Sequence, residues 1–121
     1  MAQVNITAWA KKANLTLDQA AKGITIKLFT SVVTNTRVDT GRLRGNWQIS
    51  LGSPITSTTD RKDKSGSKVL RDITGKVKAG KVNILTNNLP YAEVWEEKDA
   101  MVARSLARIS RIIRESVGEA K

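Results

Sequence analysis

Residues 16–51 read TLDQAAKGITIKLFTSVVTNTRVDTGRLRGNWQISL, and the change of hydrophobic period within them decides the fold. Thr16-Leu17-Asp18-Gln19 has the form of a capping box, in which the threonine hydroxyl takes the amide of the residue three positions on. Leu17, Ala21, Ile24, Leu28 and Val32 then recur at helical spacing. Ile26, Phe29 and Val33 fall on the opposite side, and a helix apolar on two sides must be covered on two sides. Either its own domain covers both, or the stripe of Ile26, Phe29 and Val33 meets a neighbouring subunit. The helix is expected to end near Thr36. Asp39-Thr40-Gly41 supplies a structural turn: a side chain that can accept backbone amides, then a glycine free to take positive φ. In Asn46–Leu51 the period falls to two. Trp47, Ile49 and Leu51 share one face, as in a half-buried strand.

The rest of the chain extends this pattern. Asn5–Ala13 reads as a short helix capped by Asn5 and anchored by Trp9. Residues 52–67 are rich in Gly, Ser, Thr, Asp and Lys and are expected as an exposed, mobile loop. Over residues 68–79, Val69, Ile73 and Val77 fit a helix face with Ser67 as cap and Gly80 as stop. A hairpin turning at Ala79-Gly80 fits the same residues, and helix is favoured despite Gly75 in its interior. Val82–Thr86 reads as a second strand, with Val82 and Ile84 on one face, broken by Asn87-Asn88-Leu89-Pro90. Asp99 can cap a last helix with Val102, Leu106, Ile109, Ile113 and Val117 along one side and Arg104, Arg108, Arg111 and Glu115 opposite. The expected fold is α+β: one domain over 1–121, with a long N-terminal helix and a C-terminal helix packed on a small antiparallel β-sheet. Its expected core joins Leu17, Ile24, Leu28 and Val32 to Trp47, Ile49 and Leu51 and to Val102, Leu106, Ile109 and Ile113.

Composition narrows the function. The chain has 121 residues, 40% hydrophobic and 26% charged, which is one domain's worth of ordinary globular sequence. No apolar run approaches the roughly 18 residues that span a bilayer, and Met1–Asn5 lack a secretory leader's layout. There is no cysteine, so no disulfide and no thiolate metal site, and no histidine, the commonest general base. Net charge is +10 and unevenly spread. Residues 60–81 hold eight Lys/Arg against three Asp, whereas 93–99 hold four acids against one Lys. Such charge suits nucleic acid, an anionic membrane or an acidic protein surface.

Three segments invite chemical readings. Asp39-Thr40-Gly41 is the tripeptide by which aspartic proteases supply one of two carboxylates. Those enzymes are almost all-β, and Arg42, Leu43 and Arg44 follow here instead of a small residue, which argues against proteolysis. The basic stretch with Arg61, Lys62, Lys64 and Lys68 can meet phosphates or a partner protein, but no aromatic residue interleaves it as a stacking platform. Asn87–Ala92 combines a strand end, a turn and an aromatic, which on its own is an edge loop. No carboxylates or lysines are spaced as a catalytic pair.

Two of these segments resemble a known family. Thr36-Arg37-Val38-Asp39-Thr40-Gly41-Arg42-Leu43-Arg44-Gly45-Asn46-Trp47-Gln48 is similar to the T-P-V-D-T-G-R-x-x-x-N-W signature of the tail-completion, or head–tail joining, neck proteins of tailed phages. Ile84-Leu85-Thr86-Asn87-Asn88-Leu89-Pro90-Tyr91-Ala92 resembles that family's second signature, I-x-N-N-x-P-Y-A. The resemblance covers roughly Leu15 to Ala107. Arg37 stands where the family has proline, and the connection Glu93–Val102 is shorter than the family's. The resemblance implies a virion protein without enzymatic activity or cofactor, assembled in the host cytoplasm. It implies a ring, expected as a hexamer, between a head-closure or connector protein and a tail terminator or tail tube protein. Genomic DNA would pass through the ring without sequence-specific contact, and no membrane is involved.

Charge supplies an expected interface. The acidic set Glu93, Glu96, Glu97 and Asp99 on one subunit would meet a basic set on the next, either Arg104, Arg108 and Arg111 or Lys68, Arg71, Lys76 and Lys78. Closed rings need such unlike patches. Arg61, Lys62, Lys64 and Lys68 would face DNA or a partner ring. A small basic nucleic-acid-binding module is the alternative reading.

Overall fold

The computed structural model describes residues 16–116. The expected helix at Asn5–Ala13, with Trp9, and Val117 lie outside the described residues. The first helix, α1 (Leu17–Thr34), starts on the expected capping box: Thr16 Oγ1 accepts from the Gln19 amide at 3.1 Å, and Gln19 Oε1 accepts from the Thr16 amide at 3.0 Å. A single-turn helix, α2 (Arg42–Gly45), follows the Asp39-Thr40-Gly41 turn and leads into β1 (Trp47–Leu51). After a long connection come α3 (Ser67–Lys76), β2 (Asn83–Asn87), α4 (Ala92–Asp99) and α5 (Met101–Ser116). The architecture is α+β, with a two-stranded antiparallel sheet.

Of residues 68–79, those up to Lys76 lie in helix α3 and Val77 follows in extended conformation, with Val69, Ile73 and Val77 all buried. Gly66, at φ 79°, takes the cap position in place of Ser67. The main core gathers Val32 and Val33 of α1, Trp47 and Ile49 of β1, Val69 and Ile73 of α3, Val77 and Met101. A second cluster joins Ile24 to Ile109 and Ile113, with Leu28 packed against it. A third joins Leu43, Leu89 and Ala92. α3 lies against β1, and α5 lies along α1.

The sheet register corrects one face assignment. Ile49 opposes Leu85, and Leu85 packs on the main core. Ile84 opposes Ser50 on the other face, and Val82 lies outside the strand at 66% exposure. Three expected core residues are exposed as well. Leu17 and Leu51 are the first residue of α1 and the last of β1. Val102 is displaced by Met101: the chain turns sharply at Ala100, so the first inward position of α5 is Met101.

Residues 52–66 form no regular element, yet their second half is pinned. Asn46 is fully buried and bridges to Thr59 through both its amide atoms. Arg61 donates to the carbonyls of Gly45 and Trp47 and pairs with Asp72 at 2.9 Å. Asp63, 4% exposed, accepts the Val69 amide at 2.9 Å and so caps α3 from outside. Within the stretch expected as an exposed loop, residues 59–66 are thus tied to the segments around them, and Asp63 and Gly66 are buried.

Candidate functional site

The two signature segments, far apart along the chain, build one unit. Thr36 is its base. Its hydroxyl, buried beneath α1, donates to the Val32 carbonyl at 2.8 Å and accepts from the Trp47 indole N–H at 2.8 Å. Arg44 gathers the end of α1 by donating to the carbonyls of Thr34 and Thr36 at 3.0 and 2.8 Å. Its other terminal nitrogen donates to the Lys64 carbonyl.

Gly41 sits at φ 90°, where a side chain is strained, and a Cβ there would lie 2.7 Å from the Lys64 amide nitrogen. Its carbonyl accepts the Asp63 amide at 3.0 Å. A Cβ on Gly45 would collide with the Arg61 carbonyl. Both glycines therefore exist to let residues 61–64 pass. The Asp39 carboxylate does not accept the turn amides as expected. It is exposed, and Thr40 Oγ1 takes the Arg42 amide instead, at 3.3 Å. The hydroxyl reaches the amide two residues on, which leaves Asp39 at the surface.

The second signature closes on the first. The Asn87 amide donates to the Leu43 carbonyl at 2.8 Å, and Asn88 donates to those of Ile55 and Ser57 at 2.7 and 3.0 Å. Leu89 and Ala92 bury against Leu43. Between the two segments runs an open groove of about 410 Å³, with Val38, Asp39 and Leu43 on one wall and Tyr91 and Trp95 on the other. Val38 and Tyr91, on opposite walls, are 40% and 39% exposed.

Arg37 closes one end of this groove. Its guanidinium lies 3.7 Å from the centre of the Trp95 ring and grips Asp99 with two hydrogen bonds of 2.8 and 2.9 Å. That hydrogen-bonded pair holds the Asp99 carboxyl below its ordinary range and raises Arg37. Asp99 thus serves Arg37 and is the last residue of α4, so it does not cap the final helix. Glu96 does: its carboxylate accepts the Val102 amide at 2.7 Å and the Ala103 amide at 3.5 Å.

The expected interface residues divide accordingly. Val33 is 1% exposed in the main core and offers nothing to a neighbour, and Ile26 and Phe29 pack partly buried against that core. Their stripe is covered in part by the domain itself: Val33 is closed over by α3 and the sheet, while Ile26 stays half-buried at the edge. Glu93 and Glu97 are exposed on α4, while Glu96 is engaged. Arg104, Arg108 and Arg111 are exposed on α5, and Arg108 borders a second groove beside Ile26 and Lys27. Lys62, Lys64 and Lys68 are exposed, whereas Arg61 is drawn inward by Asp72. Asn46, Asp63 and Arg44 escaped the reading from sequence. The cue was present for Asp63, three residues ahead of a Gly that precedes a helix face, but Asn46 and Arg44 depend on segments that only folding brings near.

Among the described residues no group of three or more His, Cys, Asp or Glu side chains is placed to hold a metal ion, and no helix is long and apolar enough to cross a membrane. Comparison with protein-family models, curated proteins and solved structures finds no match to this chain.

Proposed function

We propose that this chain is a structural virion protein of a tailed phage, a ring-forming neck or tail-completion subunit that joins the capsid connector to the tail and lets DNA pass. The observation that carries the reading is the union of the two signature segments. Asn87 is bonded to the Leu43 carbonyl, Leu89 and Ala92 are packed on Leu43, and an exposed groove runs between the segments. In this reading the motif residues are architectural, as a non-enzymatic ring subunit requires. The partners are further copies of the chain in a hexamer, a head-closure or connector protein on one side, and a tail terminator or tube protein on the other. Exposed Glu93 and Glu97 on α4 and exposed Arg104 and Arg108 on α5 supply unlike patches for side-to-side contact. Each such pair contributes about 0–1 kcal/mol, so charge sets register more than affinity.

Deleting the gene and imaging the particles tests this directly. Separate full heads and tails are expected, and normal joined particles refute it. The net charge of +10 favours one second reading, a basic nucleic-acid-binding module. That reading predicts a monomer retained on DNA with a steep loss of affinity as salt rises.

A further inference from the structure

The junction between α4 and α5 is bent where its sequence is helical. Ala100 takes φ 51° and ψ 46°, and it is the one non-glycine residue with positive φ among those described. Alanine is the best helix former and has no liking for the left-handed region. Neither glycine nor proline occurs from Tyr91 to Ser116. Helical hydrogen bonds already reach the bend from both sides: the Ala100 amide donates to Glu96 and the Arg104 amide donates to Ala100, both at 2.8 Å. A continuous helix would add only the amides of residues 101–103 to that ladder. Two of those amides, on Val102 and Ala103, are held instead by the Glu96 carboxylate. The Arg37–Asp99 clasp ties the end of α4 to the segment after α1. The bend is therefore imposed by side chains on a backbone that prefers to be straight.

The surface that α5 presents to α1 fits reversible contact. Ser31 donates to Ser105 at 3.0 Å, Asn35 donates to Ser105 at 3.2 Å, and Ser110 is buried alongside with its hydroxyl unpartnered in the fold. The buried apolar part gathers Ile24, Leu28, Ile109 and Ile113, with Met101 at the start of α5 in the main core. We propose that α5 is exchanged between copies of this chain: the bend at Ala100 opens, α4 and α5 merge into one helix over 92–116, and α5 packs on the α1 of a second copy. That merged helix of 25 residues would be about 37 Å long. The occupant of the vacated α1 face is the α5 of the neighbour, because the same seam of serines and isoleucines is remade without loss. Exchange of an identical element costs little beyond the hinge, and here the hinge itself is relieved. Passed head to tail around a ring, the exchange would fasten each subunit to the next. The inference deepens the ring reading and rests on it for its role in the particle.

The chain has no cysteine, so the test can be built cleanly. Chains carrying Ser31→Cys are mixed with chains carrying Ser105→Cys, denatured and refolded together, and oxidised. The 3.0 Å separation of the two hydroxyl oxygens puts sulfurs within reach of a bond of about 2.0 Å. Exchange predicts a covalent pair between the two kinds of chain. Ala100→Gly, which tolerates the bend, should lower its yield about fivefold, and Ala100→Val should raise it. A double variant, Ser31→Cys with Ser105→Cys, reports whether the link closes within a chain. Sedimentation of cysteine-free chains gives a second measure, with Ala100→Gly shifted towards monomer. Links confined to single chains, or sedimentation indifferent to residue 100, overturn the proposal. Links within chains only, alongside separate heads and tails on gene deletion, would sink the exchange and leave the ring reading standing. Links between chains with intact particles on deletion would do the reverse.

Discussion

Asn46 holds Thr59 edge to edge: its Nδ2 donates to the Thr59 carbonyl and its Oδ1 accepts the Thr59 amide, both at 2.9 Å. A fully buried side chain thus imitates one rung of a sheet ladder, and residues 59–66 follow from it across α2. Asn46→Leu would strand both backbone groups, at about 1–3 kcal/mol each. Asn46→Asp should also destabilise, because its second oxygen would face the carbonyls of Arg42 and Thr59, to which Asn46 Nδ2 donates. Urea denaturation measures the loss. Limited proteolysis provides a local readout, with Lys62 and Lys64 protected in the native chain and cut early in either variant. Early cutting at these lysines in the native chain would show that the anchor is ineffective.

Gly41 and Gly45 should be far less tolerant than Asp39. Gly45→Ala drives a methyl into the Arg61 carbonyl, and Gly41→Val adds both strain at φ 90° and a clash. The strain alone is about 1–2 kcal/mol. Asp39→Asn, at an exposed residue outside the turn's hydrogen bonds, should leave the melting temperature unchanged. A thermal shift series across the three variants checks the order.

The Arg37–Asp99 clasp gives stability a pH dependence of known sign. Its hydrogen bond holds the Asp99 carboxyl below the ordinary value of 3.8, so the folded state favours the ionised form. That contribution is complete above the ordinary value and is lost as pH falls through the lowered one. Unfolding midpoints of the native chain and of Asp99→Asn should therefore converge as pH drops below about 4. Parallel curves down to the acid limit would show that the clasp contributes no linkage.

Glu96 and Glu97, adjacent in sequence, should behave differently. Glu96→Gln weakens the cap on α5 by about 1 kcal/mol and should lower the melting temperature. Glu97→Lys changes an exposed residue and should leave stability within about 0.5 kcal/mol. If the side-to-side contact operates, Glu93→Lys with Glu97→Lys should reduce assembly into particles, and Arg108→Glu should partly restore it. Counting joined particles by electron microscopy decides between contact and mere solubility.

In the core, Ile73→Ala should cost about 2–5 kcal/mol, since Ile73 is fully buried among α1, β1 and α3. Val82→Ser, at a residue 66% exposed, should cost almost nothing. Chemical denaturation of the pair tests the burial of Ile73 against the exposure of Val82.

The local devices of this chain were legible in its residues. The capping box at Thr16 and Gln19, the alternation of Trp47 and Ile49, the inward row of Val69, Ile73 and Val77, and the turn at Gly41 each depend on contacts within a few positions. Periodicity and side-chain chemistry suffice for those. Tertiary structure alone decided how far the second apolar stripe of α1 is covered. Ile26, Phe29 and Val33 could have met a neighbour or their own domain; the fold buries Val33 fully and Ile26 and Phe29 in part. It also decided the partners of the charges. Asp99 went to Arg37, 62 positions away, and Glu96 took the cap that Asp99 was expected to provide. Hydrogen bonds of that kind are chosen by where the chain turns. The turn at Ala100 falls where Asp99 marked a helix start, but its left-handed conformation at an alanine is held by contacts no local propensity announces.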